Sequence, residues 1–147
     1  MHIFITGVAG FLGSNLADYY LDKGFKVSGN DNLIGGDLKN VNSKVNFYKS
    51  DCEDFIKNKK IFKNVDIVIH TAAFAHEGLS VFAPYLISKN VFSGSVSVFT
   101  AAIESKVKRI VFMSSMARYG ENENLFKETD IPKPVDPYGI AKLAAEK

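Results

Sequence analysis

Thr6-Gly7-Val8-Ala9-Gly10-Phe11-Leu12-Gly13 is the stretch that decides the fold of this chain. It follows a short apolar run typical of a buried strand and opens an amphipathic stretch with helical spacing. Glycines spaced by three between a strand and a helix indicate a dinucleotide-binding turn. Gly7 permits the tight turn, Gly10 lets the backbone approach a pyrophosphate, and Gly13 lets the helix pack close to the sheet. The N-terminus of the helix can then hold the anion. A turn that binds nothing is the plainer alternative.

Outward from this turn, short apolar β-branched runs alternate with longer amphipathic stretches. Such alternation predicts right-handed βαβ crossovers and a parallel sheet covered on both faces. We therefore predict an α/β, Rossmann-type doubly wound sheet of about five strands in the order 3-2-1-4-5. The predicted strands are residues 2–6, 25–29, 44–49, 65–70 and 108–113, and the predicted helices are residues 11–23, 54–60, 84–106 and a last one from residue 137.

The composition is that of a soluble globular domain. The chain has 147 residues, of which 46% are hydrophobic and 23% charged, and its net charge is +2. Basic and acidic residues are interspersed, so nucleic-acid binding is not expected. A single cysteine, Cys52, excludes an intrachain disulfide and fits a reducing compartment. No run approaches the ~18 apolar residues of a membrane helix, so we expect a cytoplasmic protein with no membrane partner.

Asp31 lies just past the second predicted strand, where a carboxylate can accept hydrogen bonds from both ribose hydroxyls of a dinucleotide. The same carboxylate would repel a 2′-phosphate, and no arginine occurs between Gly24 and Ser50. These two features favour NAD over NADP. The alternative is that Asp31 only forms a turn beside Asn32.

A second motif, Tyr138-Gly139-Ile140-Ala141-Lys142, lies near the end of the chain. Asp136 is a good N-cap and Pro137 a good first residue for a helix, which would put Tyr138 and Lys142 one turn apart on one face. There the ammonium is expected to lower the phenol's pKa from about 10 and make it a proton-transfer group. Taken alone, such a pair is more often a solvated helix face.

Together these motifs resemble the extended short-chain dehydrogenase/reductase family, the NAD-dependent nucleotide-sugar epimerases and dehydratases. Residues 6–13 match its TGxxGxxG form, and Ser114-Ser115-Met116-Ala117-Arg118-Tyr119-Gly120 resembles the loop that carries its catalytic Ser or Thr. Residues 137–142 match its Tyr-x-x-x-Lys motif with the usual neighbours. The resemblance runs the whole length of the chain, and it is closest to members assigned as UDP-glucose 4-epimerases.

The resemblance implies NAD as the cofactor and a role for each matching residue. Tyr138 would be the acid and base, Lys142 would hold the nicotinamide ribose, and Ser115 would hydrogen-bond the reacting hydroxyl. Plainer interpretations stay open, with Ser115 as a turn serine and Lys142 as a solvated lysine. The implied NAD-binding residues are Gly7, Gly10, Phe11, Leu12, Gly13, Asp31, Asn32, Asp51, Cys52, Thr71, Ala72, Ala73, Asn90, Tyr138 and Lys142.

Departures from the family pattern narrow the implied reaction. Family 4,6-dehydratases carry an acidic pair directly after the catalytic Thr, and here those positions are Met116 and Ala117. Without the paired carboxyl groups that β-elimination needs, dehydration is disfavoured. Reversible oxidation at one carbon remains, and a UDP-hexose 4-epimerase fits it best.

Family members run to about twice this length, and their C-terminal half forms the nucleotide-sugar pocket. We therefore expect residues 1–147 to be an NAD-binding Rossmann domain, truncated on the C-terminal side of the sheet and inactive alone. The nucleotide sugar is then a partner only when the missing half is supplied. A non-catalytic NAD-binding or interaction module, a minimal oxidoreductase for a small alcohol, and another sugar-nucleotide oxidoreductase or dehydratase are the alternatives. A homodimer through the helices at 84–106 and 137–147 is expected.

Overall fold

The computed structural model describes residues 1–121 and 125–147 of the chain. It divides into two compact units. The first comprises residues 1–73 and 94–113, and the second comprises residues 74–93 and 114–147. The first unit contains the sheet and the glycine turn, whereas the second contains the Tyr138–Lys142 motif.

The first unit is built around a parallel sheet of five strands in the order β3-β2-β1-β4-β5. This confirms the predicted fold class and strand order. Every neighbouring pair is parallel, with Ile3 opposite Val27 on one side and Ile67 on the other. The strands are β1 His2–Thr6, β2 Lys26–Asp31, β3 Asn46–Lys49, β4 Ile67–His70 and β5 Arg109–Phe112.

Helical segments connect these strands and form most of the second unit. Short 3₁₀ helices occur at Leu38–Asn40 and Met116–Tyr119, and a π-helical turn occurs at Lys89–Ser93. The α-helices are α1 Phe11–Asp22, α2 Phe55–Ile61, α3 Glu77–Ser80, α4 Pro84–Ser88, α5 Gly94–Glu104 and α6 Pro137–Glu146.

Alternation along β1 divides the core of the first unit between the two faces of the sheet. Ile3 and Ile5 belong to a cluster with Val27 and Ile69, whereas Phe4 belongs to a cluster with Phe62 and residues of α5. Successive strand residues point to opposite faces, which explains the division. Because both faces are covered, β1 is almost continuously apolar rather than alternating.

Several predicted boundaries differ from those in the structure, and two of the differences bear on the site. Asp31 lies inside β2 rather than just past it, because β3 continues the pairing and places Lys49 opposite Asp31. The helix predicted over residues 84–106 is interrupted by the π turn Lys89–Ser93 and resumes as α5. A π turn takes one more residue per hydrogen-bonded ring than an α-helix, which hydrophobic spacing does not reveal.

The helical run Pro84–Glu104 is long and apolar enough to cross a membrane by length and composition alone. A core helix of a soluble protein passes the same test. In α5, the last part of this run, Val98, Ala101 and Ala102 are fully buried in the cluster around Phe4. The apolar character of α5 therefore has a structural explanation within the first unit.

Candidate functional site

The glycine turn of the first unit is too tightly packed for side chains at two of its three glycines. Gly7 has a φ of +69°, and a Cβ there would lie 2.8 Å from the Cα of Ala72. A Cβ at Gly13 would collide with the carbonyl oxygen of Gly7. At Gly10 the contact would be milder, 3.3 Å from that same oxygen. The roles predicted for Gly7 in turning and for Gly13 in close packing agree with this geometry.

The start of α1 fits an anion. Gly10 is the N-cap, so no side chain caps the amides of the first turn, and the side chain of Phe11 is 88% exposed. Leu12 is also exposed. Free backbone N–H groups and the positive end of the helix dipole attract a phosphate. The residues present therefore fit the pyrophosphate of a dinucleotide.

The residues after β4 are tied to the same turn. The hydroxyl of Thr71 donates to the carbonyl of Thr6 at 2.5 Å, and the Ala72 amide donates to Oγ1 of Thr6 at 3.2 Å. Thr71, Ala72 and Ala73 directly follow the carboxyl end of β4. That edge of a parallel sheet is where such folds bind ligands.

Asp31 is buried, and both of its carboxylate oxygens already accept backbone hydrogen bonds. Oδ2 accepts from the Ala9 amide at 3.0 Å, and Oδ1 accepts from the Leu33 amide at 2.8 Å. A carboxylate has about four lone-pair positions, so each oxygen can still accept a further donor. Asp31 thus supports the turn and keeps the capacity for ribose hydroxyls, so the two interpretations left open by the sequence are compatible.

Asn32, Asp51 and Cys52 lie close together beyond β2 and β3. The Asn32 amide donates to Oδ2 of Asp51 at 3.1 Å. Burial, and then the charge of Asp51, raises the pKa of the Cys52 thiol to about 12. A thiol with that pKa stays protonated near neutral pH, so Cys52 is not a nucleophile.

His70, at the end of β4, has a structural role. Its Nδ1 lies 2.6 Å from the Thr6 hydroxyl and its Nε2 lies 3.0 Å from the Ser95 hydroxyl. The side chain is 1% exposed. Both ring nitrogens therefore join β4 to its neighbours in the core.

The second unit brings Ser115, Tyr138 and Lys142 together. Asp136 caps α6 by accepting from the Gly139 amide at 2.9 Å, so Tyr138 lies in the first turn of the helix, one turn before Lys142, as predicted. Nζ of Lys142 lies 5.9 Å from the centroid of the Tyr138 ring, and the Ser115 side chain is near enough to lower the pKa of Tyr138. Tyr138 and Lys142 are 6% and 2% exposed, which rules out a solvated helix face.

The expected direction of the Tyr138 pKa shift was wrong. Burial raises the pKa of Tyr138 above its ordinary value, and the Ser115 hydrogen bond acts in the opposite sense but does not outweigh it. The charge of Glu77 raises this pKa further. Burial also lowers the pKa of Lys142 to about 8. The low dielectric of the site therefore disfavours the charged form of both groups.

Gly139, inside the Tyr-x-x-x-Lys motif, permits a close approach that spacing alone did not reveal. A Cβ at this position would lie 2.5 Å from the carbonyl oxygen of Ala117, in the 3₁₀ turn that Ser115 caps. Helix α6 can therefore approach the serine turn closely at the level of Tyr138. A glycine next to the tyrosine is the sequence signal that would have indicated this contact.

Asn90 lies in the π turn Lys89–Ser93, which contacts α6 within the second unit. Its side-chain amide donates to the carbonyl of Leu86 at 2.8 Å, which leaves its oxygen as an acceptor. Isolated π turns are frequent at functional sites.

The sequence analysis did not identify several polar residues around the cluster of Ser115, Tyr138 and Lys142. Ser80 donates to the carbonyl of Glu77 at 2.6 Å and to Oδ1 of Asp136 at 3.3 Å, which ties α3 to the start of α6. Arg118 and Glu146 form an ion pair of 2.9 Å. The contacts of Ser80 with Asp136 and of Arg118 with Glu146 join residues distant in sequence, and no local pattern predicts them.

Comparison with known proteins gives one consistent answer. The family model of the NAD dependent epimerase/dehydratase family matches residues 3–147. The chain is 36% identical, over 150 residues, to the UDP-glucose 4-epimerase of Lacticaseibacillus casei, covering 100% of this chain and 45% of that protein.

Two solved structures are also similar. One is the UDP-glucose 4-epimerase of Thermotoga maritima with UDP-glucose, at 38% identity and a TM-score of 0.94. The other is the Thermus thermophilus enzyme in complex with NAD, at 33% identity and a TM-score of 0.94. Each match covers 99% of this chain and 49% of the other, so the chain spans about half the length of these relatives. The chain belongs to the NAD dependent epimerase/dehydratase family.

Proposed function

We propose that this chain is the NAD-binding portion of a UDP-hexose 4-epimerase. One observation carries the proposal: Ser115 and the buried side chains of Tyr138 and Lys142 lie together within one unit, with the lysine nitrogen 5.9 Å from the centroid of the tyrosine ring. Loss of any one of these side chains would favour a non-catalytic module, and all three are present. The similarity to UDP-glucose 4-epimerases, one of them solved with UDP-glucose, supports the substrate class.

The residues of the cluster would divide the chemistry between them. Ser115 would hydrogen-bond the 4-hydroxyl of the sugar, and Tyr138 would accept its proton as the carbon is oxidised. In the return step the same phenol would donate the proton back. Lys142 would hold the cofactor ribose and place positive charge beside the phenol. NAD⁺, when bound, supplies the hydride acceptor and a further positive charge.

The raised pKa of Tyr138 suits its role as the acid of the return step and opposes its role as the base of the oxidation step. A protonated phenol is ready to act as an acid, whereas the base requires the phenolate. Positive charge introduced beside the phenol would favour the phenolate. Proton transfer by Tyr138 is therefore expected to depend on whether NAD⁺ is bound.

In the first unit, the glycine turn would hold the pyrophosphate and Asp31 the adenosine ribose. Asn32, Asp51 and Cys52 would lie near the adenine, and the residues after β4 beside the rest of the cofactor. Within this proposal residues 1–147 are the NAD-binding domain, and other sequence supplies the nucleotide-sugar pocket. A cytoplasmic location belongs to the same proposal, because it is where NAD and nucleotide sugars are used.

A homodimer through the long helical run and α6 is also proposed. Large apolar side chains are exposed on these segments, with Tyr85 78% and Ile140 54% exposed. Exposed apolar patches often mark interfaces. Light scattering that shows twice the monomer mass would support the dimer, and a monomer at high concentration would contradict it.

Calorimetric titration with NAD and NADP, combined with a UDP-galactose turnover assay on the same 147-residue chain, tests the proposal. We expect NAD to bind more tightly than NADP, with no turnover. A folded chain that binds neither dinucleotide would contradict the proposal. Turnover by residues 1–147 alone would show that no further sequence is needed for the substrate pocket.

A further inference from the structure

Both carboxylate oxygens of Glu146 are bound by residues that flank Ser115. Glu146 is the last residue of α6, one turn beyond Lys142. Its Oε2 lies 2.9 Å from a guanidinium nitrogen of Arg118, and its Oε1 accepts a hydrogen bond from the hydroxyl of Ser114. The Arg118 and Glu146 side chains are 21% and 20% exposed, so this is not an exposed surface ion pair.

These contacts join the same two segments that approach closely beside Tyr138, where a Cβ at Gly139 would lie 2.5 Å from the carbonyl oxygen of Ala117. Ser114 directly precedes Ser115, and Arg118 lies in the 3₁₀ turn Met116–Tyr119. Ser115 caps that turn, accepting from the Ala117 amide at 3.2 Å. Tyr138 lies in the first turn of α6 and Glu146 in its last. The serine turn is therefore attached to α6 at both ends of the helix.

We propose that Glu146 is a positioning residue for the reaction proposed above: bound by Arg118 and Ser114, it holds the serine turn against α6 and keeps Ser115 beside Tyr138. Its importance for catalysis rests on the proposed function. The geometry itself needs neither NAD nor a sugar. The charge of Glu146 also raises the pKa of Lys142 against the effect of burial, which favours the protonated lysine.

A positioning role and a purely electrostatic role predict opposite shifts at Tyr138. The Ser115 hydrogen bond lowers the pKa of Tyr138, so losing the correct geometry raises that pKa. Removing a negative charge near a phenol, with the geometry unchanged, lowers its pKa. The direction of the shift in a Glu146 variant therefore distinguishes positioning from a direct effect of the Glu146 charge on Tyr138, and Glu146→Asp, which keeps the charge, distinguishes positioning from an effect through Lys142.

The test is a titration of Tyr138 in the 147-residue chain, with no dinucleotide or sugar present. Fluorinated tyrosine is incorporated so that the phenols titrate at lower pH, and fluorine NMR follows each of them. Tyr138→Phe identifies the signal. Ser115→Ala is the reference variant and Glu104→Ala is the matched control, because Glu104 forms an ion pair of 2.7 Å with Lys59 in the other unit.

We expect Glu146→Ala and Ser115→Ala to raise the pKa of Tyr138 by similar amounts, and Glu104→Ala to leave it unchanged. The double variant Ser115→Ala/Glu146→Ala should show no more than the Ser115→Ala shift, because both changes remove the same interaction of Ser115 with Tyr138. A lowered or unchanged pKa in Glu146→Ala would overturn the proposal, as would additive shifts in the double variant.

Glu146→Asp keeps the charge but shortens the side chain, and it is the milder change if Glu146→Ala fails to fold. The proposal predicts a raised Tyr138 pKa in this variant, whereas a role through charge alone predicts no change. Because the titration involves neither NAD nor substrate, its outcome is separate from that of the epimerase proposal. A failed turnover assay would not contradict the role of Glu146, and a failed Tyr138 titration would not contradict the epimerase proposal.

Discussion

Nζ of Lys142 lies 5.9 Å from the centroid of the Tyr138 ring, and both side chains are almost completely buried. The pair shares an environment that disfavours charge on either group. Burial raises the pKa of the tyrosine, and it lowers that of the lysine to about 8. We therefore expect the buried charge of Lys142 to lower the free energy of unfolding of the second unit.

Lys142→Met should make the chain more stable at pH 7. The pKa of Lys142 is about 8 when folded and about 10.4 when unfolded, so between these values the unfolded chain binds more protons and stability rises with pH. Below pH 8 the buried charge costs on the order of 3 kcal/mol. Urea unfolding should show a gain for the variant at pH 7 that shrinks by pH 10.

The control for this prediction is Lys39→Met, which changes an exposed lysine. Its effect on the free energy of unfolding should be small and similar at both pH values. An identical gain at pH 7 and pH 10 for Lys142→Met would show that packing, and not the charge, explains the effect.

Gly13→Ala should destabilise the first unit and weaken NAD binding. The new methyl group would collide with the carbonyl of Gly7, and such overpacking costs about 1–3 kcal/mol. Gly35→Ala is the matched control, because a Cβ there has no heavy atom within 4 Å. Thermal unfolding and NAD titration of both variants check the prediction. Equal behaviour of the two variants would mean that Gly13 is not needed for close packing.

Asp31→Asn should reduce the preference for NAD over NADP. The amide cannot repel a 2′-phosphate, and it also loses an acceptor that now serves the amides of Ala9 and Leu33. A hydrogen bond to a charged group contributes about 1.5–3 kcal/mol, which corresponds to roughly tenfold or more in affinity. Calorimetry with both dinucleotides measures the ratio. A preference unchanged by the substitution would assign Asp31 to the turn alone.

Gly139→Ala should separate the serine turn from α6. Its Cβ would lie 2.5 Å from the carbonyl oxygen of Ala117, so the helix must shift by a few tenths of an ångström or more. We expect a destabilisation of about 1–3 kcal/mol and a weaker Ser115–Tyr138 hydrogen bond. The control is Gly78→Ala in α3, where a Cβ has no heavy atom within 4 Å. Both should be followed by urea unfolding and by the Tyr138 titration, and a wild-type Tyr138 titration in Gly139→Ala would contradict this account.

The sheet order was predictable because each strand has a strong local signal. β1 was predicted to the residue, since Ile3, Phe4 and Ile5 form an apolar run and Gly7, which has a positive φ, follows Thr6. Handedness rules then leave few ways to connect the strands. The predicted end of β2 was wrong because the true end depends on pairing with β3, which lies elsewhere in the sequence.

The candidate site was predictable only where residue type and spacing carry the chemistry. Ser115, Tyr138 and Lys142 were identified in this way, and the structure places them in one unit. The direction of the Tyr138 pKa shift was not, because it depends on burial rather than on the neighbouring lysine. Contacts such as that between Arg118 and Glu146 join residues 28 positions apart and required the tertiary structure.

The central claim is reversible oxidation at carbon 4 of a UDP-hexose, and an isotope tests it most directly. The protein encoded by the reading frame that contains residues 1–147 would be incubated with UDP-galactose deuterated at carbon 4, with Tyr138→Phe as the inactive control. The account predicts UDP-glucose that retains its deuterium at carbon 4, and turnover in the control reduced by about 10²–10⁴-fold. Product whose deuterium has exchanged with solvent, or equal turnover by the variant, would contradict it.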